Sequence, residues 1–220
     1  MNSKALIFDM DGVLISGKAW IEDDRKFLRS LFGEKIYAEL GETRGKTIDM
    51  IYTMASELGF TMGKKEYYRL YDMHAARMYA KSSITGGLDR LVTFLLSNGF
   101  VLGIVTSARR TWLDAVLPRI AFIEDVSYVL CIDDRPDLQT KPAPDGYIDT
   151  MRHLSVLPEN TIILEDSNTG ILAAKASGAF TIGFSEHIEP GYQQVNADVY
   201  ARNIDEVISI VNKFTENRKT

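Results

Sequence analysis

Residues 5–12, Ala5-Leu6-Ile7-Phe8-Asp9-Met10-Asp11-Gly12, decide the fold: a short apolar run stops abruptly at two acidic residues and a glycine. This is how a buried strand runs into a loop. Further short runs, rich in β-branched or aromatic residues, follow at 100–105, 128–132, 161–164 and 179–184, and each reads as a strand. Between them lie helical patterns at 87–97, 110–117, 146–154 and 169–177, the last followed by Gly178, a good C-cap. Strand and helix alternate from about residue 84 onward. That alternation predicts the α/β class, a parallel sheet with helices on both faces.

The first strand differs, because a long stretch with no strand signal follows it. Residues 18–82 read as helices only: Phe27, Leu28 and Leu31 share a helical face, as do Ile48, Ile51, Tyr52 and Ala55, and then Tyr67, Leu70, Tyr71, His74 and Met78. The expected organisation is a core domain of residues 1–17 and 83–220, with an all-α cap domain, 18–82, inserted after the first strand. Residues 14–18 and 82–87 would join the two, and short Gly-containing crossings suit a hinged lid. Residues 217–220 read as a frayed tail.

Composition narrows the function classes. Twenty-five basic against thirty acidic residues in a chain of 220 give a net charge of -5, which repels a phosphate backbone, so no nucleic-acid partner is expected. Cys131 is the single cysteine and can form no internal disulfide; with acidic residues among the first seventeen in place of a secretory apolar run, a cytoplasmic location is expected. No apolar stretch approaches the roughly 20 residues that span a bilayer, so no membrane partner is expected either. We expect a monomer.

In open parallel sheets ligands bind beyond the carboxyl ends of the strands. There the chain places Asp9 and Asp11 after the first strand, Thr106 and Ser107 after the second, and Glu165 and Asp166 after the fourth; Lys141 ends an Asp-rich loop after the third. Four carboxylates at one sheet edge repel one another unless a cation sits among them. Oxygen ligands of this kind suit Mg²⁺, which shares its shell with a phosphate. Zinc is disfavoured, since His74, His153 and His187 are scattered and have no Cys partner. Asp9 and Asp11, two apart, project to the same side of an extended segment. One carboxylate can then attack phosphorus while the other handles protons, with Asp11 protonating the departing alkoxide. Lys141, Thr106 and Ser107 would hold the phosphoryl oxygens. The bland alternatives are a solvated turn for Asp9 and Asp11, a helix cap near Arg110 for Thr106 and Ser107, and another for Glu165 and Asp166.

Four ordered blocks, Phe8-Asp9-Met10-Asp11-Gly12-Val13, Ile104-Val105-Thr106-Ser107, Lys141-Pro142-Ala143-Pro144-Asp145 and Leu164-Glu165-Asp166-Ser167, resemble the motifs of the haloacid dehalogenase superfamily. The helical insert is similar to the branch containing β-phosphoglucomutase and phosphoglycolate phosphatase. The resemblance implies a Rossmann-like core and a cap closing over the substrate. It implies Asp9 as nucleophile and metal ligand, Asp11 as acid/base with its carbonyl on Mg²⁺, and Asp166, with Glu165, completing the metal shell. Thr106 and Lys141 would bind the phosphoryl group. Mutases of this type carry a His early in the cap, and the segment Ser16-Gly17-Lys18-Ala19-Trp20 has none. The expected function is therefore a Mg²⁺-dependent phosphatase acting on a small phosphorylated metabolite through an aspartyl phosphate on Asp9. A sugar phosphomutase and a non-catalytic phosphometabolite-binding protein are the alternatives.

The remaining motifs are weaker. Gly41-Glu42-Thr43-Arg44-Gly45-Lys46-Thr47 looks like a phosphate-binding P-loop, but Leu40 stands where the first glycine belongs, and the segment lies between helices rather than after a strand. Arg44 and Lys46 are instead candidates for contacting an anionic leaving group from the cap. Asp133, Asp134 and Asp137 could reach the outer shell of the metal, Arg109 or Arg110 could steer an anion, and Lys18 is a remote candidate for Schiff-base chemistry. His74 and the tyrosines at 67, 68, 71 and 79 read as helix packing.

Overall fold

The computed structural model describes residues 4–16, 20–41, 43 and 48–216. In chain order the elements are β1 (Lys4–Phe8), β2 (Ile15–Ser16), α1 (Trp20–Leu40), α2 (Ile48–Glu57), α3 (Lys64–Lys81), β3 (Ser83–Ile84), α4 (Leu88–Ser97) and β4 (Phe100–Thr106). There follow α5 (Arg110–Val116), β5 (Val126–Cys131), α6 (Asp145–His153), β6 (Thr161–Glu165), α7 (Asn168–Ala176), β7 (Phe180–Phe184), β8 (Val199–Ala201) and α8 (Ile204–Glu216). Two compact units emerge, one of Met1–Lys18 with Ser83–Thr220, the other of Ala19–Ser82.

The first unit is built on a six-stranded sheet in the order β5-β4-β1-β6-β7-β8, parallel throughout. β1 reads as an unbroken apolar run because the sheet is covered on both faces. Ala5 and Ile7 join Val105, Ile163, Tyr147, Met151, Ala173 and Ala174 in one core, which α6 and α7 provide. Leu6 and Phe8 point to the opposite face by strand alternation, where α4 and α8 pack together. Ala5, Leu6, Ile7 and Phe8 are completely buried, and each of the three large ones contributes roughly 1.5–3 kcal/mol. The expected α/β architecture is observed.

Four elements were not expected from sequence. β8 adds an edge strand, α8 buries Ile204, Val207, Val211 and Phe214, and β2 pairs antiparallel with β3, Ile15 opposite Ile84. This two-stranded ribbon spans parts of both segments expected to join core and insert. The second unit holds three helices among its described residues, with a core of Leu28, Phe32, Leu40, Ile51, Ala55 and Tyr67. α1 is broken at Gly33, whose φ of 78° leaves the helical region. The readings on Gly17, Lys18, Arg44, Lys46 and residues 217–220 lie outside the described residues.

Candidate active site

The strand register assembles the site. Phe8 is paired with Leu164 on β6 and Ile104 on β4, so Asp9 stands level with Glu165 and Thr106 ends the neighbouring strand. The Asp9 amide donates to the Leu164 carbonyl at 3.0 Å, extending the pairing by one residue and fixing the carboxylate at the sheet edge. Beyond it the chain turns tightly, with the Leu14 and Ile15 amides donating to the Met10 carbonyl at 2.9 and 3.2 Å. Gly12 makes this turn possible. Its φ is +75°, and a Cβ there would sit 2.0 Å from Asp166 Oδ2.

Lys141 joins the carboxylates. Its Nζ donates to Asp9 Oδ1 at 2.5 Å and to Glu165 Oε1 at 2.6 Å, and its side chain is only 8% exposed. Glu165, 1% exposed, accepts from every side: Tyr147 Oη also donates to Oε1, at 2.9 Å, while Ser167 N and Oγ donate to Oε2 at 3.1 Å each. A Cβ on Gly170 would lie 1.7 Å from Glu165 Oε1, so the start of α7 must carry glycine for this carboxylate to fit.

Asp9, Glu165 and Asp166 each offer an oxygen within 4.8 Å of the others, an arrangement that could hold a metal ion. The carboxyl of Asp11 lies outside that trio, although its charge reaches both Asp9 and Asp166. Burial, with help from neighbouring carboxylates, lifts Asp9 and Asp166 well above the usual carboxylate range, Lys141 opposing this only in part. Burial pushes Lys141 down, but Asp9 and Glu165 outweigh it and hold the ammonium firmly charged. One ammonium thus faces four carboxylates, and an all-oxygen site in this imbalance fits a hard divalent cation.

The bland alternatives fare unevenly. Thr106 Oγ1 accepts from the Ala108 amide at 3.0 Å, but α5 begins after Arg109 with no side-chain cap; Ser107 is exposed. Ser167, not the acidic pair, caps α7, its Oγ accepting from Gly170 N at 3.0 Å. Asp145 is the first residue of α6, and its carboxylate accepts from the Gln139 amide at 2.9 Å, folding back the loop that carries Lys141. Arg110 is tied to Asp134 at 2.7 Å, and Arg135 to Asp137 at 2.8 and 2.9 Å; these arginines occupy the acidic loop.

The family model for haloacid dehalogenase-like hydrolases matches residues 6–184. The chain belongs to this family. Among similar proteins, the validoxylamine A 7'-phosphate phosphatase of Streptomyces hygroscopicus subsp. limoneus is 27% identical, over 93% of this chain and 95% of that one. The β-phosphoglucomutase of Bacillus subtilis is 26% identical, covering 93% and 91%. A family hydrolase from Deinococcus radiodurans, crystallised with phosphate and sodium, superposes with a TM-score of 0.70 at 19% identity over 97% of both chains.

Around this candidate site, the sequence reading assigned no role to Tyr147, Ser167 or Gln194. Tyr147 and Ser167 lie within or just beyond blocks already singled out, so proximity was the available signal. Gln194 had none: its Nε2 donates to the carbonyls of Asp166, at 2.6 Å, and Phe184, at 2.9 Å, strapping the loop after β7 onto the acidic strand end.

Proposed function

We propose that the chain is a cytoplasmic, monomeric, Mg²⁺-dependent phosphatase. It hydrolyses a small phosphorylated metabolite, a sugar phosphate or phosphoglycolate-like compound, through an aspartyl phosphate on Asp9. One observation carries the reading: a buried Asp9 carboxylate, held by Lys141, within 4.8 Å of two further carboxylates at the end of a parallel strand. A structural ion pair needs one carboxylate per ammonium, and this surplus of negative charge suits a cation-assisted reaction at a phosphoryl group.

Asp9 attacks phosphorus through a carboxylate oxygen as the bond to the leaving alkoxide breaks. Asp11 gives that alkoxide its proton, and then takes one from the water that splits the aspartyl phosphate. Lys141, with Thr106 and Ser107, holds the phosphoryl oxygens and balances their charge. Asp9, Glu165 and Asp166, with Asp11 beside them, would hold Mg²⁺, which when bound polarises a phosphoryl oxygen and neutralises developing charge. The inserted helical unit acts as the cap that selects the leaving group, with Arg44 and Lys46 as its candidate contacts.

A mutase, as in the Bacillus relative, would return the phosphoryl group to a second hydroxyl instead of to water. The test is phosphate release from an aryl phosphate and from a panel of sugar and three-carbon phosphates, with and without Mg²⁺, beside Asp9→Asn. Metal-dependent release lost in the variant is the expected result. Release unaffected by Asp9→Asn overturns the mechanism, and activity only on β-glucose 1-phosphate with a bisphosphate primer selects the mutase.

A further inference from the structure

Tyr147 is the third residue of α6 and is 1% exposed. Its ring lies 5.1 Å from Lys141 Nζ, within range of a cation–π contact. Its hydroxyl donates to the same Glu165 oxygen that receives the Lys141 ammonium. Lys141 and Tyr147 share one oxygen of Glu165, and the two Ser167 donors serve the other.

We propose that Tyr147 is a positioning residue for Lys141: its hydroxyl fixes Glu165 and takes up part of its negative charge, while its ring supports the ammonium. Lys141 is thereby shared with Asp9 instead of being drawn wholly to Glu165. The inference rests on the phosphatase reading of this site and identifies the group that sets its phosphate-binding cation.

The hydroxyl is the informative part of the side chain. Phenylalanine would fill the same volume and present the same ring face to Lys141. It would leave Glu165 Oε1 with a single donor on a carboxylate only 1% exposed, where an under-satisfied acceptor is costly. Among the described residues, the ammonium is the donor to that oxygen that remains to compensate. It would then move toward Glu165, away from Asp9 and from a phosphoryl group bound there.

The experiment is Tyr147→Phe, read by steady-state kinetics on an aryl phosphate with Mg²⁺, by inhibition and calorimetric binding of inorganic phosphate, and by thermal unfolding. We expect KM and the phosphate inhibition constant to rise together by about tenfold, the scale of one hydrogen bond to a charged group, with a smaller change in kcat and a folded protein. Unchanged phosphate affinity overturns the proposal, whatever happens to kcat. So does a loss of activity that merely follows a loss of folded protein. A second comparison guards against indirect effects: in a Lys141→Ala background, Tyr147→Phe should leave the remaining phosphate affinity unaltered, and an equal drop in both backgrounds overturns the proposal. Failure of the phosphatase reading itself would show separately, as wild-type protein that releases no phosphate while its phosphate binding still reports on Tyr147.

Discussion

The two units bury polar atoms in different ways. In the α/β unit the enclosed groups at the sheet edge are acidic and basic side chains: Lys141 lies between Asp9 and Glu165. In the helical unit tyrosine hydroxyls meet carbonyls, Tyr67 donating to Ile48 at 3.0 Å and Tyr52 to Met62 at 2.9 Å, and the partly sheltered His74 and Asp24 stand 3.8 Å apart with no described lysine between them. Around the hydroxyls Phe32, Phe60 and Tyr67 stack edge and face. A hydroxyl satisfied by one carbonyl is architecture, gained at little cost. Buried charges are costly to desolvate and add little net stability, so their concentration at one strand end argues for the proposed chemistry there.

Lys141→Ala tests that contrast most severely. It should cut turnover at least a hundredfold, and by leaving two buried carboxylates without their ammonium it should destabilise the α/β unit by about 3 kcal/mol, measured by denaturant unfolding at pH 7. Gly12→Ala asks whether the chain's geometry is equally strict there. A left-handed φ and a Cβ 2.0 Å from Asp166 Oδ2 predict a loss of about 2 kcal/mol together with weaker Mg²⁺ binding by calorimetry. The helical unit should respond differently. Tyr67→Phe, which strands the Ile48 carbonyl, should cost about 1 kcal/mol and leave kcat on an aryl phosphate unaltered; a kcat change would erase the distinction between the units.

The smallest effect concerns His74, which stacks on Phe27 with ring centroids 4.0 Å apart and has Asp24 3.8 Å away. Burial lowers its pKa, with Asp23 opposing and Arg77 assisting. The unfolded chain therefore binds this proton at higher pH than the folded one, and stability is lost as pH falls through about 6.5. His74→Phe keeps the stack and removes the titration. Between pH 7.5 and 5.5 the wild-type melting temperature should drop about 1 °C further than that of the variant.

The strands that carry the site were legible because each is an apolar run ending in polar residues, and a strand covered on both faces cannot hide that pattern. β2, β3 and β8 escaped because two or three residues carry no periodicity; pairing partners distant in sequence create them. The same reason explains Gln194, whose amide reaches the Asp166 carbonyl from a loop 28 residues away, and Tyr147, which looks like one more core aromatic until its hydroxyl is seen on Glu165.

The sequence alone determined the alternation of strand and helix, the helical insertion and the identity of the acidic residues and lysine at the strand ends, because periodicity and residue chemistry are local properties. Only the tertiary structure decided that Lys141 bridges Asp9 and Glu165, that Asp166 crowds Gly12, and that Tyr147 closes the group. Those relations depend on strand register and side-chain distance, which bring residues more than a hundred positions apart into contact and leave no mark on the order of the amino acids.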